Sequence, residues 1–200
     1  MQIKETSDGT LHITGKVVTR LDQFVGTVTD IISQYTSYVI VSGYVAILFG
    51  RARGTEDIDL LINHMDKDTF SSLCLDLSAQ GFYFLNSDNI DEIYSMLCDR
   101  LAVRIAKEEM VIPNIEIKFL KDDFDHYAIN KRKTVTFEDI RFFISPIELQ
   151  IPYKLYPGSD KDIEDAMYLW VVFKERLDNN LLRSFMECLH VNGELYGIEI

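Results

Sequence analysis

Two aspartates separated by one isoleucine constrain this chain more than any other feature. In the segment DIDLLI, residues 57–62, charged and apolar residues alternate and an apolar run follows, which predicts a β-strand. Successive side chains of a strand point to opposite faces, so Asp57 and Asp59 share one face while Ile58 and Leu60 enter a core. The sequence therefore predicts two carboxylates aimed at one point.

This pair of carboxylates favours a divalent metal ion. Like charges raise the free energy of the doubly ionised form unless a cation lies between them, and Mg²⁺ (or Mn²⁺) with oxygen ligands is the natural candidate. Because Mg²⁺ keeps several waters and is often shared with phosphates, Asp57 and Asp59 indicate nucleotide chemistry. The alternative is a pair of surface acids neutralised by Arg51 and Arg53.

A strand, a tight bend and a helix are predicted just before the aspartates. The β-rich run 38–41 leads into Ser42-Gly43, and the apolar segment 44–49 follows. A glycine at such a bend lets backbone amides approach a triphosphate, and the first N–H groups of the helix are unpaired. Ser42 and Gly43 are therefore candidate nucleotide-binding residues.

These residues resemble the signature of the nucleotidyltransferase superfamily, which has the polymerase-beta-like fold, and the nearest branch is that of the abortive-infection toxin-like enzymes. The match runs from Ser42-Gly43 through a helix to the segment 53–60, Arg-x-Thr-x-Asp-Ile-Asp-Leu, with Ser42 replacing the usual first glycine. The resemblance covers roughly residues 38–170. It implies an α/β (α+β) fold with a mixed β-sheet flanked by helices, divided into a catalytic domain at 1–144 and a helical part at 145–200.

The resemblance also implies further site residues. Glu116, in the alternating segment 114–120, matches the third metal-binding carboxylate, although the alternation alone allows an outward-facing residue. Lys154 matches a lysine that meets the nucleotide phosphates, although a lysine on a helix is normally exposed. Asp162 either orients Lys154 or a nucleotide group, or it forms an ordinary surface ion pair. Asp165 fits the orienting role equally well.

Two loop residues of the signature each allow two interpretations. Thr55 is either a loop hydroxyl or a phosphate ligand, and Arg53 either contacts phosphate or restrains Asp57. Together with the acids, they predict a Mg²⁺-dependent enzyme that moves an NMP from an NTP to an acceptor hydroxyl. The acceptor is RNA, a protein or a small molecule, and toxin-like relatives imply an antitoxin partner. The alternative is a catalytically silent nucleotide-binding or protein-interaction module.

Composition limits these possibilities. The 200 residues are 47% hydrophobic, enough for a sizeable core, and neither a membrane-spanning run nor a signal peptide is evident, so we expect a cytoplasmic protein. Three cysteines without metal-ligand spacing predict reduced thiols. A net charge of −12 disfavours nucleic-acid binding unless basic residues cluster, and the stretch 118–141 is the one candidate for such a cluster.

Hydrophobic periodicity and turn residues predict the remaining elements. A hairpin turns at Asp8-Gly9, Pro152 is expected to distort or divide its helix, and Ser145 is expected to cap that helix. The other predictions are helices at 17–35, 67–79, 89–99, 147–156, 160–176 and 180–189, strands at 101–106, 134–137 and 140–144, and an extended tail at 194–200.

Overall fold

The computed structural model describes residues 1–200 and contains nine strands and eight α-helices. The strands are β1 Gln2–Glu5, β2 Leu11–Thr14, β3 Tyr38–Val41, β4 Asp57–Ile62, β5 Phe82–Phe84, β6 Val103–Lys107, β7 Asn114–Phe119, β8 Lys133–Phe137 and β9 Ile140–Ile144. The helices are α1 Arg20–Ser33, α2 Gly43–Leu48, α3 Lys67–Ala79, α4 Ile90–Cys98, α5 Asp123–Asn130, α6 Ile147–Leu155, α7 Asp160–Phe173 and α8 Asn179–Cys188.

All nine strands form one mixed sheet in the order β1-β2-β8-β9-β3-β4-β7-β6-β5. At its centre β4 runs antiparallel to β3 and parallel to β7. The register between β4 and β7 sets Asp59 opposite Glu116 and Asp57 opposite Asn114. Residues at the same register on neighbouring strands share a face, so the acids of both strands lie on one side of the sheet.

The two faces of the central strands are covered differently. On one face Ile40, Ile58 and Leu60 are fully buried in a hydrophobic core of 43 residues. On the other face a smaller core of six residues lies against α5, α6 and α8, and it contains Val39, Leu61, Ala128, Ile129, Leu149 and Phe185. Asp57 and Asp59 precede Leu61 on that second face, next to this small core.

The helices after residue 144 pack on the same hydrophobic core as the sheet. Ile151 and Leu155 of α6 and Leu169 of α7 are buried members of it. The division into a domain at 1–144 and a helical part at 145–200 stays a prediction.

Three local predictions need correction, and two elements were missed. Pro152 does not divide α6, which is continuous, since Ile151 and Leu155 on either side of it are buried and their packing outweighs the lost backbone bond. Pro146, not Ser145, holds the N-cap position of that helix. The tail from 194 is not fully extended, because Asn192 accepts from the Glu194 N–H and caps a 3₁₀ turn at Gly193–Tyr196. Finally, β5 and α5 were not predicted.

No helix in the structure combines the length and the apolar character that crossing a membrane requires. The cysteines Cys74, Cys98 and Cys188 are all free thiols, as the sequence predicts.

Candidate active site

The carboxylates of Asp59 and Glu116 share one lysine. The Lys118 ammonium lies 3.1 Å from Asp59 Oδ1 and 3.9 Å from Glu116 Oε1. Alternation along β7 puts Lys118 on the same face as Glu116, two residues further along the strand. Arg104 of the neighbouring strand β6 approaches Glu116 to 3.8 Å from the other side. Two of the three acids that the sequence assigns to a metal, Asp59 and Glu116, therefore lie close together beside a protein cation.

The charge of Lys118 is stabilised by these acids. Burial alone would lower the pKa of the Lys118 ammonium, but Asp59, Glu116 and Asp57 outweigh that effect and raise the pKa above its usual value. Lys118 is therefore a permanent positive charge at neutral pH, placed where the carboxylates need one.

Asp57 is held by the loop that precedes its strand. The Thr55 hydroxyl donates to the Asp57 carbonyl oxygen at 2.8 Å and lies 3.4 Å from its carboxylate. Neither Arg51 nor Arg53 forms a salt bridge with Asp57 or Asp59, so the alternative of surface acids paired with those arginines is wrong.

The donor set suits a hard divalent cation, although the structure does not present a finished cage. No group of three or more histidine, cysteine or acidic side chains lies close enough together to hold a metal ion. The Lys118 ammonium contacts the two facing carboxylates instead. Next to Asp57 in the register, the buried Asn114 leaves its side-chain oxygen without a hydrogen-bond partner. Three carboxylates and an unpartnered amide oxygen are ligands that Mg²⁺ prefers, so the residues fit the ion chemically.

The bend between β3 and α2 has an unusual backbone. Ser42 has φ 63° and ψ −137°, a conformation that side chains disfavour and glycine adopts readily. Gly43 has no room for a side chain, because an added Cβ would lie 2.2 Å from the Arg53 guanidinium. No side chain caps the amides at the start of α2.

A buried ion cluster fixes this bend to helix α7. Asp165 is fully buried, and Arg53 binds it with two parallel hydrogen bonds of 2.9 and 2.7 Å. Arg51 donates to the same carboxylate, and the Lys154 ammonium lies 2.7 Å from it. Burial, followed by repulsion from Arg51, lowers the pKa of Arg53. Arg53 is therefore a partner of Asp165, and the prediction that it restrains Asp57 is wrong.

Lys154 is buried and not exposed on its helix. Its ammonium contacts Asp162 at 2.9 Å as well as Asp165, so the structure agrees with an orienting role for both acids. Burial lowers the pKa of Lys154, and the hydrogen bond that its ammonium donates to Asp162 opposes that effect. The pKa of Asp162 is itself lowered, since bonds from Ser159 and Lys154 outweigh the effect of burial.

A cavity of about 370 Å³ lies between these two charged groups. Its charged wall contains Asp59, Lys118, Lys154 and Asp162, with Ser42 beside them. α5 and α6, which carries Lys154, also give the cavity a wall of apolar and aromatic side chains, namely Phe124, Ala128, Leu149 and Tyr153, with Asp125 and Gln150 beside them. Sequence reasoning named Asp59, Ser42, Lys154 and Asp162 as site residues and Lys118 only as part of a basic stretch. It predicted the helix of α6 but assigned only Lys154 of that helix to the site, and it did not predict α5.

The basic residues after Glu116 do not form one surface. Lys118 and Lys121 line the cavity, but Arg132 donates to the Tyr38 carbonyl oxygen and lies over the Phe143 ring, while Lys133 pairs with Glu5.

Comparison with known proteins identifies the fold. No protein-family model and no curated protein matches the chain. Among solved structures, it is similar to an antigenic nucleotidyltransferase-like protein from Paracoccidioides brasiliensis, with 17% identity, a TM-score of 0.51, and coverage of 84% of this chain and 86% of that one. It is also similar to ANT(2″)-Ia, solved in complex with adenylyl-2″-tobramycin, with 13% identity, a TM-score of 0.53, and coverage of 85% and 99%. The chain has the nucleotidyltransferase fold.

The nucleotidyltransferase fold predicted from the signature is thereby confirmed. A nucleotidyltransferase toxin, MenT4 from Mycobacterium tuberculosis H37Rv, is also similar, with 17% identity and a TM-score of 0.46 over 82% of this chain and 61% of the toxin. The comparison of folds rests on the first two proteins. Within this nucleotidyltransferase fold, the structure brings Asp59 and Glu116 together and places Ser42, Lys154 and Asp162 around the adjoining cavity.

Proposed function

We propose that this protein is a Mg²⁺-dependent nucleotidyltransferase that moves an NMP from an NTP to an acceptor hydroxyl. The register pairing of Asp59 with Glu116, with Asp57 on the same face, is the observation that carries the proposal. The fold comparison supports the same class of reaction. Mn²⁺ would substitute for Mg²⁺, since both accept carboxylate oxygens.

The three acids are proposed to hold two metal ions. Asp57 and Asp59 would contact both ions, and Glu116 would join them at the ion on the acceptor side. Bound Mg²⁺ would lower the pKa of the acceptor hydroxyl and neutralise charge on the triphosphate and on the leaving pyrophosphate. Lys118 would give up its contact with the acids when they bind metal, and its ammonium would remain beside the phosphates that enter the cavity.

The phosphates are proposed to lie between the bend and Lys154. Ser42 and Gly43 offer backbone amides that no side chain caps, and Lys154 lines the same cavity as Ser42. Asp162 would hold the Lys154 ammonium in position, as it does in this structure. Arg53, tied to Asp165, would fix the shape of the bend, and Thr55 would support Asp57.

The toxin-like role is proposed from the sequence resemblance alone. A toxin-like enzyme would act on RNA or protein and would be neutralised by an antitoxin partner. A small-molecule acceptor, such as the one implied by the adenylyl-tobramycin complex of ANT(2″)-Ia, is the alternative.

The test is incubation of the purified protein with labelled NTPs, Mg²⁺ and cell extract. Pyrophosphate release together with a labelled acceptor is expected from the wild type. Asp59→Asn should abolish both, whereas Asp30→Asn, which changes an exposed aspartate of α1, should leave both unchanged. Retained turnover in Asp59→Asn would refute the assignment. Stoichiometric NTP binding without turnover by the wild type would favour the catalytically silent module.

A further inference from the structure

One polar side chain in the wall of the cavity has no partner. Gln150 lies on α6 and is 3% exposed, and the structure gives its side-chain amide nitrogen no hydrogen-bond partner. Gln150 also lines the cavity beside Asp59 and Lys118. Gln150 therefore belongs to the wall of the cavity, and its amide nitrogen is covered by other atoms in this conformation.

Such a donor weakens the fold. A buried N–H without an acceptor loses its hydrogen bond to water and gains none from the protein. An apolar side chain of similar shape, such as methionine, would fill the same position without that loss. Groups that cost stability in this way are concentrated at binding and catalytic sites. The position of Gln150 thus indicates a ligand that supplies the missing acceptor.

The surroundings of Gln150 indicate a planar ligand. The rings of Phe124 on α5 and Tyr153 on α6 line the same wall, with their centroids 6.1 Å apart, and Leu149 adds an apolar surface. Tyr153 is 37% exposed, so much of its ring faces outward and can be covered. Aromatic rings stack on the faces of bases, and an amide recognises the edge of a base.

The lining of the cavity is of two chemical kinds. Lys118 and Lys154 supply positive charge, while Phe124 and Tyr153 supply aromatic surface beside the unpartnered amide of Gln150. A nucleotide has the same division, with a charged phosphate chain and a flat base that carries acceptors at its edge. A volume of about 370 Å³ is in the range of small-molecule sites.

We propose that the α5–α6 wall of the cavity binds the nucleobase of the NTP and that the Gln150 amide hydrogen-bonds to the base edge, which makes Gln150 a determinant of base preference. The inference rests on the proposed function, because it takes the phosphates to lie beside Lys118 and Lys154. The terminal torsion of glutamine is soft, so the side chain can rotate and turn its amide nitrogen toward the cavity when the base binds. A base without an acceptor at that point leaves the donor unpaired and is rejected.

The experiment measures binding by calorimetry in Mg²⁺ for each of the four NTPs and for inorganic tripolyphosphate. The wild type should bind one NTP about tenfold or more tightly than the weakest. Gln150→Met should bind the four NTPs with similar affinities. Its affinity for tripolyphosphate should equal that of the wild type, and its melting temperature should be the same or higher. Gln23→Met, which changes an exposed glutamine of α1, is the matched control and should change nothing.

The tripolyphosphate measurement separates the two proposals. If tripolyphosphate binds and Gln150→Met keeps the wild-type ranking of NTPs, the base pocket is wrong and the phosphate site stands. If tripolyphosphate does not bind while nucleosides bind in a way that depends on Gln150, the base pocket stands and the transferase proposal fails. Tyr153→Leu, at a partly exposed position, is the second variant. It should weaken the binding of all four NTPs and leave the binding of tripolyphosphate unchanged. Unchanged NTP affinities would show that the base does not stack on this wall.

Discussion

Two groups of charges flank the cavity, and they are built in opposite ways. Asp165 is 0% exposed and is bound by three cations, Arg51, Arg53 and Lys154. On the other side, the side chains of Asp59 and Glu116 are 22% and 13% exposed and share one lysine that is itself 37% exposed. The first group is closed and fully paired, whereas the second has few partners and is open to solvent.

The difference indicates that the closed group stabilises the fold, whereas the open group can exchange one cation for another. Ions that are buried and paired lose a great deal when one member is removed, so the Asp165 cluster holds Arg53 and Lys154 in one place. A partly exposed acid pair that shares one lysine loses less when the lysine moves away. We therefore propose the open group as the one that takes a metal ion in place of Lys118, while the closed group keeps the bend and Lys154 fixed.

Removing one acid from each group gives the largest contrast. Asp165→Asn should lower the free energy of unfolding by about 3–5 kcal/mol, because it leaves buried cations without their carboxylate. Asp59→Asn should change it by about 1 kcal/mol or less. Urea denaturation of both variants measures the contrast. A similar loss in the two variants would show that the closed and open groups do not differ in this way.

Removing the shared lysine tests whether Lys118 competes with metal for the acids of the open group. Lys118→Met takes away the cation that competes for the acids, and the affinity for Mn²⁺ should rise about tenfold, equivalent to about 1.4 kcal/mol. Lys121→Met, which changes another lysine of the cavity wall, is the control. Titration of Mn²⁺ followed by electron paramagnetic resonance gives both affinities. An unchanged or weaker affinity in Lys118→Met would mean that the lysine does not compete with metal.

The bend offers a gain in stability. Ser42→Gly should raise the free energy of unfolding by about 1 kcal/mol, since glycine adopts φ 63° without strain. Ser33→Gly, at the exposed end of α1, is the control and should lower it slightly. Thermal melting of both variants distinguishes the cases, and a lower melting temperature for Ser42→Gly would contradict the strain.

The smallest expected effect is the pH dependence of Asp162 at the edge of the closed group. Its folded pKa is lowered below 3.8, so its contribution is present above that pH and is lost as the pH falls through the folded pKa. Because the side chain is partly exposed, the contribution is at most about 0.5 kcal/mol. The stability difference between the wild type and Asp162→Asn should therefore shrink as the pH falls below 3.8. A difference that does not shrink below that pH would rule out this linkage.

Much of the fold is readable from the sequence, since local periodicity decides it. The helix at 67–79 was predicted with the bounds that the structure gives, because Phe70, Leu73 and Leu77 mark one face and Gly81 stops the chain. The pairing of Asp59 with Glu116 agrees with the family pattern. The short α5 was missed because it has only eight residues, and Asp122, which caps it, resembles an ordinary loop acid.

The partners of the charged residues could not be read from the sequence. Arg53 lies four residues before Asp57 in the chain but binds Asp165, and nothing local distinguishes Asp165 from other acids of an amphipathic helix. Lys118 reads as the exposed residue of an alternating strand, and only the register of β4 against β7 brings it to Asp59. Gln150 lies on a largely apolar helix, and the missing hydrogen-bond partner of its amide nitrogen is apparent only when the neighbouring residues are known.

The contact between Arg53 and Asp165 spans 112 positions of the chain. During synthesis the aspartate signature leaves the ribosome long before α7 exists, and until then Arg53 has no carboxylate to draw it over Gly43. A nascent chain therefore carries the sequence motif without the shaped bend. The order of translation thus makes the proposed nucleotide site one of the last parts of the molecule to be completed.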